Sequence, residues 1–371
     1  MSTELFIGLM SGTSMDGIDA VLVELDENTC ELRQSHSQPY PKDLAADLTA
    51  ASNTPAAVDL DMLGTLHIRV ARAFAEAAAE LMQVGGISAS EVTAIGSHGQ
   101  TVLHRPDAVV PFTMQLGDPG TLAALTQCTV VAEFRSSDIA LGGQGAPLVP
   151  AFHRWAFAHA DETRAIVNVG GIANVTLIDP RNEISGYDTG PGNALLDRWC
   201  STHQGTPYDQ NGAWAAGGTV DAALLKQLMS DPYFARPAPK STGTEYFNDE
   251  WLQNALQRYD GKPQTRDVQS TLAELTAHTI ATSVRDASAI AICGGGAMNT
   301  DLMQRLGKLL QPRPVISTLE WGIDPNWVEG IAFAWLARQR LRAQPTNLPS
   351  VTGARAEISL GGIYLPPSKI V

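Results

Sequence analysis

The sequence predicts an α/β protein of two related lobes, and three observations carry that prediction. At 371 residues the chain exceeds what one ordinary core organises, so two domains are expected. Alanine-rich helical stretches alternate with Val/Ile-rich runs, the pattern of mixed α/β layers. Two strand–glycine–strand units of the same shape also recur about half a chain apart. The first pairs residues 4–9 with 18–25 around a Gly/Ser/Thr/Asp cluster, and the second pairs 164–169 with 172–178 around Gly170-Gly171. Glycine-turned hairpins are common, but two alike at that spacing favour an architectural duplication.

Between the hairpins, Leu60, Leu63, His67, Val70, Phe74 and Leu81 fall at helical spacing over 58–82, and Gly85-Gly86 stops that helix. A short strand at 92–95 runs into Gly96-Ser97-His98-Gly99-Gln100-Thr101. A small helix after Asp118-Pro119-Gly120 leads to a strand at 129–132, then an irregular region over 133–150. The last third alternates cleanly: helix 270–286, strand 289–293, Gly294-Gly295-Gly296, a helix opening near Asn299, strand 315–317 and a long helix 326–342. Residues 345–354 read as a linker, and 358–365 as a closing strand that returns to the first lobe. The expected division is therefore 1–132 plus 353–371 for the first lobe and 133–352 for the second.

Composition narrows the function. A net charge of −14 without an acidic block is spread along the chain and argues against general nucleic-acid or membrane-surface binding, which draws its affinity from basic patches. No run reaches the length of a membrane span and the first residues lack a leader's basic and apolar regions, so a cytoplasmic protein is expected. Four scattered cysteines without a Cys-x-x-Cys pair suit free thiols, not a disulfide framework or zinc site. Nothing in the residues decides between a monomer and a homodimer.

Three glycine turns follow apolar strands: Gly8 to Gly17, Gly170-Gly171 and Gly294-Gly295-Gly296. Such turns bring backbone N–H groups close to an anion because no Cβ intervenes. The first adds the hydroxyls of Ser11, Thr13 and Ser14 and the carboxylates of Asp16 and Asp19, as a loop handling phosphate and metal would. Each alone is weak; together they point to a nucleotide. No Gly-x-x-x-x-Gly-Lys-Ser/Thr is present, which excludes a P-loop, and Asn299 stands where a dinucleotide fingerprint needs its third glycine. In Gly186-Tyr187-Asp188-Thr189-Gly190-Pro191-Gly192-Asn193, an aspartate sits in a rigid turn before a helix that Asn193 would cap. It suits proton abstraction, though Asp-Thr-Gly also closes turns on its own backbone. Arg135, near Gly142-Gly143-Gln144-Gly145, suits a carboxylate or an ordinary surface ion pair. Lys240-Ser241-Thr242-Gly243 reads as polar loop, and Glu329 as a sugar ligand or a helix cap.

These stretches, with Ser97-His98-Gly99-Gln100-Thr101 and Asn168-Val169-Gly170-Gly171-Ile172-Ala173-Asn174, resemble the signatures of the anhydro-N-acetylmuramic acid kinases, in order along nearly the whole chain. The resemblance implies the two-lobed actin/hexokinase/Hsp70-like (ribonuclease H-like) fold, with ATP and substrate in the cleft between lobes. It implies ATP-dependent opening of the 1,6-anhydro bridge and phosphorylation of O6 in peptidoglycan recycling. By position it makes Asp188 the general base and Gly12, Thr13, Ser14, Met15, Asp16, Gly17, Ile18 and Asp19 the ATP stretch, joined by the Gly170-Gly171 and Gly294-Gly295-Gly296 turns. Arg135, Thr101 and Glu329 become the expected sugar contacts, and Mg²⁺ is expected through Asp16 or Asp19. One departure stands out. Many sugar kinases of this superfamily open the loop with Asp before Gly-Thr, and here Ser11 takes that place. The other readings are a kinase of the same fold acting on another amino sugar, and a non-catalytic nucleotide-binding regulator.

Overall fold

The computed structural model describes residues 3–12, 15 and 17–368. The chain divides into two units, 1–156 with 327–371, and 157–326.

The first unit begins with an antiparallel meander, β1 (Glu4–Met10), β2 (Gly17–Leu25) and β3 (Cys30–Pro39). β4 (Val92–Ser97) then pairs parallel to β1, a small hairpin forms from β5 (Gln100–Arg105) and β6 (Phe112–Leu116), and β7 (Val130–Ala132) pairs parallel to β4. The second unit repeats the plan. β8 (Arg164–Val169), β9 (Ile172–Ile178) and β10 (Ile184–Pro191) form its meander, with β11 (Ala289–Cys293) parallel to β8 and β12 (Val315–Ser317) parallel to β11. The chain closes with β13 (Gly362–Tyr364), antiparallel on β7 at the edge of the first sheet.

Both sheets thus run third–second–first–fourth–fifth strand, with the same parallel and antiparallel pairings. The duplication expected from two hairpins extends to five strands in each unit. This is the ribonuclease H-like order of the actin/hexokinase/Hsp70 fold.

Helix Leu60–Gly85 carries its apolar stripe into the first core. Val70, Phe74, Ala77, Ala78 and Leu81 are fully buried beside Ile7, Leu9 and Ile95, and each large side chain contributes about 1.5–3 kcal/mol. Asp59 caps its start and Gly86, at φ 64°, ends it. In the second unit, helices Thr265–Ser283 and Thr300–Leu310 cover the sheet through Ala277, Ile280, Leu302 and Leu306.

The boundary differs from the expected one. Residues 133–156 and 327–352 belong to the first unit, because helix Val328–Leu341 packs on β1 and β4. Gly8 and Gly96 are register partners on those strands, and the helix backbone lies directly on them. A Cβ at Gly8 would meet the Gly330 carbonyl oxygen at 1.8 Å, and one at Gly96 the Phe333 oxygen at 2.0 Å. Residues 345–354 are no linker either. Thr346, Asn347 and Thr352 are buried, and Pro349–Thr352 is a helical turn. Among the described residues, no helix is long and apolar enough to cross a membrane.

Candidate functional site

In the first unit the turn from β1 to β2 is held from below. Gln100, wholly buried at the start of β5, donates from Nε2 to the Gly12 carbonyl at 3.0 Å. Its Oε1 accepts from Ser11 Oγ at 2.7 Å and from Tyr40 Oη at 3.3 Å, while Ser11 Oγ also lies 2.6 Å from the Gly17 carbonyl. Ser11 is buried and is therefore a loop brace. Met15 and Ile18 send their side chains into the core, which leaves only their backbone for the expected phosphate contact. Asp19 accepts from Ser37 Oγ at 2.5 Å beside the loop exit. Thr13, Ser14 and Asp16 lie outside the described residues.

Two neutral groups help to hold Arg135. Its Nε and Nη2 reach His98 Nε2 at 3.1 and 2.9 Å, and Nη1 donates to the Gly145 carbonyl at 2.8 Å. Guanidinium has only donors, so His98 Nε2 is the acceptor and its proton sits on Nδ1. Burial, then the Arg135 charge, holds the His98 pKa down to about 3, which keeps the imidazole uncharged at neutral pH. The same two causes bring His104 on β5 to about 4. Arg135 thus holds one uncharged imidazole against its guanidinium. Thr101 accepts from Gln115 Nε2 at 3.1 Å in the same hairpin, and Glu329 lies half-buried in the first turn of helix Val328–Leu341.

Asp138 supports the loop behind Arg135. Fully buried, it accepts from Gly145 N–H at 2.8 Å, Asn347 Nδ2 at 3.0 Å and Thr352 Oγ1 at 2.8 Å. Asp138→Ala should cost about 3 kcal/mol, since three donors lose a buried carboxylate. Thermal melting should register that loss.

In the second unit the two glycine turns are neighbours. They follow β8 and β11, which are parallel with Asn168 opposite Cys293. Asn193 spans them: its Nδ2 donates to the Val169 carbonyl at 3.0 Å and lies near Gly295. Asn193 occupies the N-cap position of helix Ala194–Gln204 but makes no side-chain cap, contrary to expectation. The helix's first N–H groups instead serve the turn: Asn193 N–H to the Gly170 carbonyl at 2.8 Å, and Ala194 N–H to Gly171 at 3.1 Å.

The glycines divide by space. Gly294 has φ +73° and Gly296 lies against Val169, so both are required by the fold. A Cβ at Gly170 or Gly295 would meet only ordinary contacts, at 3.6 and 3.5 Å, so packing does not require glycine at either. Gly170→Ala and Gly295→Ala should keep the wild-type melting temperature yet weaken nucleotide binding about tenfold. Gly296→Ala should lose about 2 kcal/mol of stability. Equal stability losses in all three would refute the division.

Asp188 lies in a strand, β10, not the expected turn, at a register shift between Asp188 and Gly190. A bulge of that kind re-aims a side chain. Thr242 N–H donates to Asp188 Oδ2 at 2.9 Å, Asp188 N–H donates to the Lys240 carbonyl at 3.2 Å, and Tyr233 Oη donates to the Asp188 carbonyl at 2.6 Å. Helix Thr265–Ser283 steadies the following residues, with Thr276 Oγ1 at 3.0 Å from the Pro191 carbonyl and 3.1 Å from that of Gly192. Among the described residues, no group of three His, Cys, Asp or Glu side chains forms a metal cage. The roles of Gln100, Asp138 and Thr242 were not legible in sequence, since each depends on partners far away along the chain.

Over residues 4–366 the chain matches the family model of the anhydro-N-acetylmuramic acid kinases. It is 48% identical over 369 residues to the anhydro-N-acetylmuramic acid kinase of Shewanella halifaxensis, covering 98% of this chain and 99% of that one. It is 47% identical over 372 residues to the protein of that name from Saccharophagus degradans, covering 99% and 100%. Among solved structures it is similar to the activator of the 2-hydroxyisocaproyl-CoA dehydratase from Clostridium difficile with bound ADPNP, at a TM-score of 0.48 and 10% identity over 91% of this chain and 96% of that one.

Proposed function

Because the chain belongs to the anhydro-N-acetylmuramic acid kinase family, we propose that it converts 1,6-anhydro-N-acetylmuramic acid, ATP and water to N-acetylmuramic acid 6-phosphate and ADP, in the cytoplasm, as a step of peptidoglycan recycling. Water attacks C1 as Asp188 takes its proton. The C1–O6 bond breaks, O6 takes the γ-phosphoryl group, and ADP leaves. Kinship at 48% identity over essentially the full length is the observation that carries this reading.

The residues suit these roles. Phosphoryl transfer needs positioning and charge neutralisation more than covalent help. The backbone at Gly12, Gly17, Gly170, Gly171 and Gly295 offers N–H groups to the phosphates. Arg135 suits the lactyl carboxylate, while Thr101 and Glu329 suit the sugar hydroxyls. Mg²⁺ usually keeps waters and phosphate oxygens with one or two carboxylates. Asp19, steadied by Ser37, fits as such a carboxylate, and the ion would neutralise charge on the transferring phosphate.

A substrate panel tests the reading. Loss of the anhydro sugar should accompany ADP release one for one, with no turnover of plain N-acetylmuramic acid. Turnover of a different amino sugar in its place would favour a kinase of other specificity. Bridge opening without ATP would make the protein a glycosidase.

A further inference from the structure

The segment Lys240-Ser241-Thr242-Gly243 reads as an ordinary polar loop, yet it is built around Asp188. It receives the Asp188 N–H at the Lys240 carbonyl and returns the Thr242 N–H to Asp188 Oδ2. The Lys240 ammonium is itself caged. Its Nζ lies 4.7 Å from the centroid of the Tyr233 ring and 5.5 Å from that of Tyr187, and donates to the carbonyls of Tyr233 at 3.3 Å and Phe234 at 3.4 Å. Tyr187 precedes Asp188 in the chain, and Tyr233 Oη donates to the Asp188 carbonyl. Cage and carboxylate therefore share one backbone frame.

We propose that Lys240 is a positioning residue for Asp188: a cation locked between two tyrosine rings, whose loop fixes the carboxylate's orientation and whose charge favours its ionised form. The proposal rests on the reading of Asp188 as the general base.

Electrostatics agree with the geometry. Burial first, then Arg236, lowers the Lys240 pKa, and the Asp188 charge opposes them. Burial and then the Asp188 charge raise the Tyr233 pKa. A carboxylate that favours the charged lysine is favoured in its own charged form to the same extent. Around Asp188, Tyr233 reaches its carbonyl and Lys240 lies over the Tyr233 and Tyr187 rings from the loop side, Tyr187 precedes it on β10, and Asn174 stands opposite on β9. Helix Thr265–Ser283 brings the uncharged Thr276 and Thr279 to the residues that follow. Arg236 stands next out, 5.8 Å from the Tyr233 ring centroid.

The test is the pH dependence of kcat in Lys240→Gln, which keeps a donor for the two carbonyls and removes the charge. Without the cation Asp188 binds its proton more tightly, so the acid limb of kcat should move to higher pH by about one unit. KM for ATP should stay within about twofold of wild type, as the nucleotide contacts are untouched. Lys240→Arg should restore the wild-type limb, and Lys240→Met should show the same displacement as Lys240→Gln. A folded neutral variant with an unmoved acid limb overturns the proposal. So does loss of the native melting transition in both neutral variants, which makes the lysine a folding residue. Failure of the underlying reading looks different: Asp188→Asn would then keep its kcat, whatever happens at Lys240.

Discussion

Asp188→Asn is expected to lower kcat about 10³-fold while leaving KM for ATP nearly unchanged. The amide is isosteric and can still accept from Thr242 N–H, so the bulge in β10 and the loop at 240–243 should survive. What disappears is the proposed capacity to take a proton from the attacking water. Because bridge opening precedes phosphorylation of the freed O6, ADP release should fall in step with sugar consumption. Steady-state kinetics with both substrates, beside a melting curve that matches wild type, check the expectation. Full ATP-dependent activity in this variant would favour a nucleotide-binding protein in which Asp188 only closes the local backbone.

The largest effect on stability is expected at the contact between sheet and helix in the first unit. Gly8→Ala should cost about 3 kcal/mol or more, because its Cβ would sit 1.8 Å from the Gly330 carbonyl oxygen, and rigid backbone lies on both sides. For a unit of this size that corresponds to a fall of roughly 6–12 °C in melting temperature. The helix can yield only by lifting off β1, which also moves Glu329, one residue before Gly330. Gly64→Ala is the control. It lies in helix Leu60–Gly85 with nothing within 4 Å of the new methyl, and should gain about 0.5–1 kcal/mol. Similar melting temperatures for the two variants would refute the close packing.

The two hairpins were legible because their apolar runs are broken by glycine within a few residues, a local signal. The third strand of each meander was not. In β3, Cys30–Pro39, no residue is fully buried, so little periodicity marks it. In β10 two glycines, an aspartate and a proline read as a turn. Only pairing with β9, a non-local event, makes that segment a strand. The same reason explains the lobe boundary. Helix Val328–Leu341 joins the first unit because bare strand backbone at Gly8 and Gly96 accepts it, a complementarity spread over more than half the chain. At the site, Asp188 stood out through the run of turn residues around it. Its clamp from Thr242 and Lys240 lies some fifty residues onward, in a segment whose composition shows only polarity.

Product analysis in ¹⁸O-labelled water tests the central claim most directly. Wild-type enzyme given ATP and the anhydro sugar, quenched before the anomeric oxygen exchanges with solvent, should place the label on C1. The phosphoryl group on O6 should carry none. Label in the phosphoryl group with C1 unlabelled would contradict attack of an Asp188-activated water on the sugar.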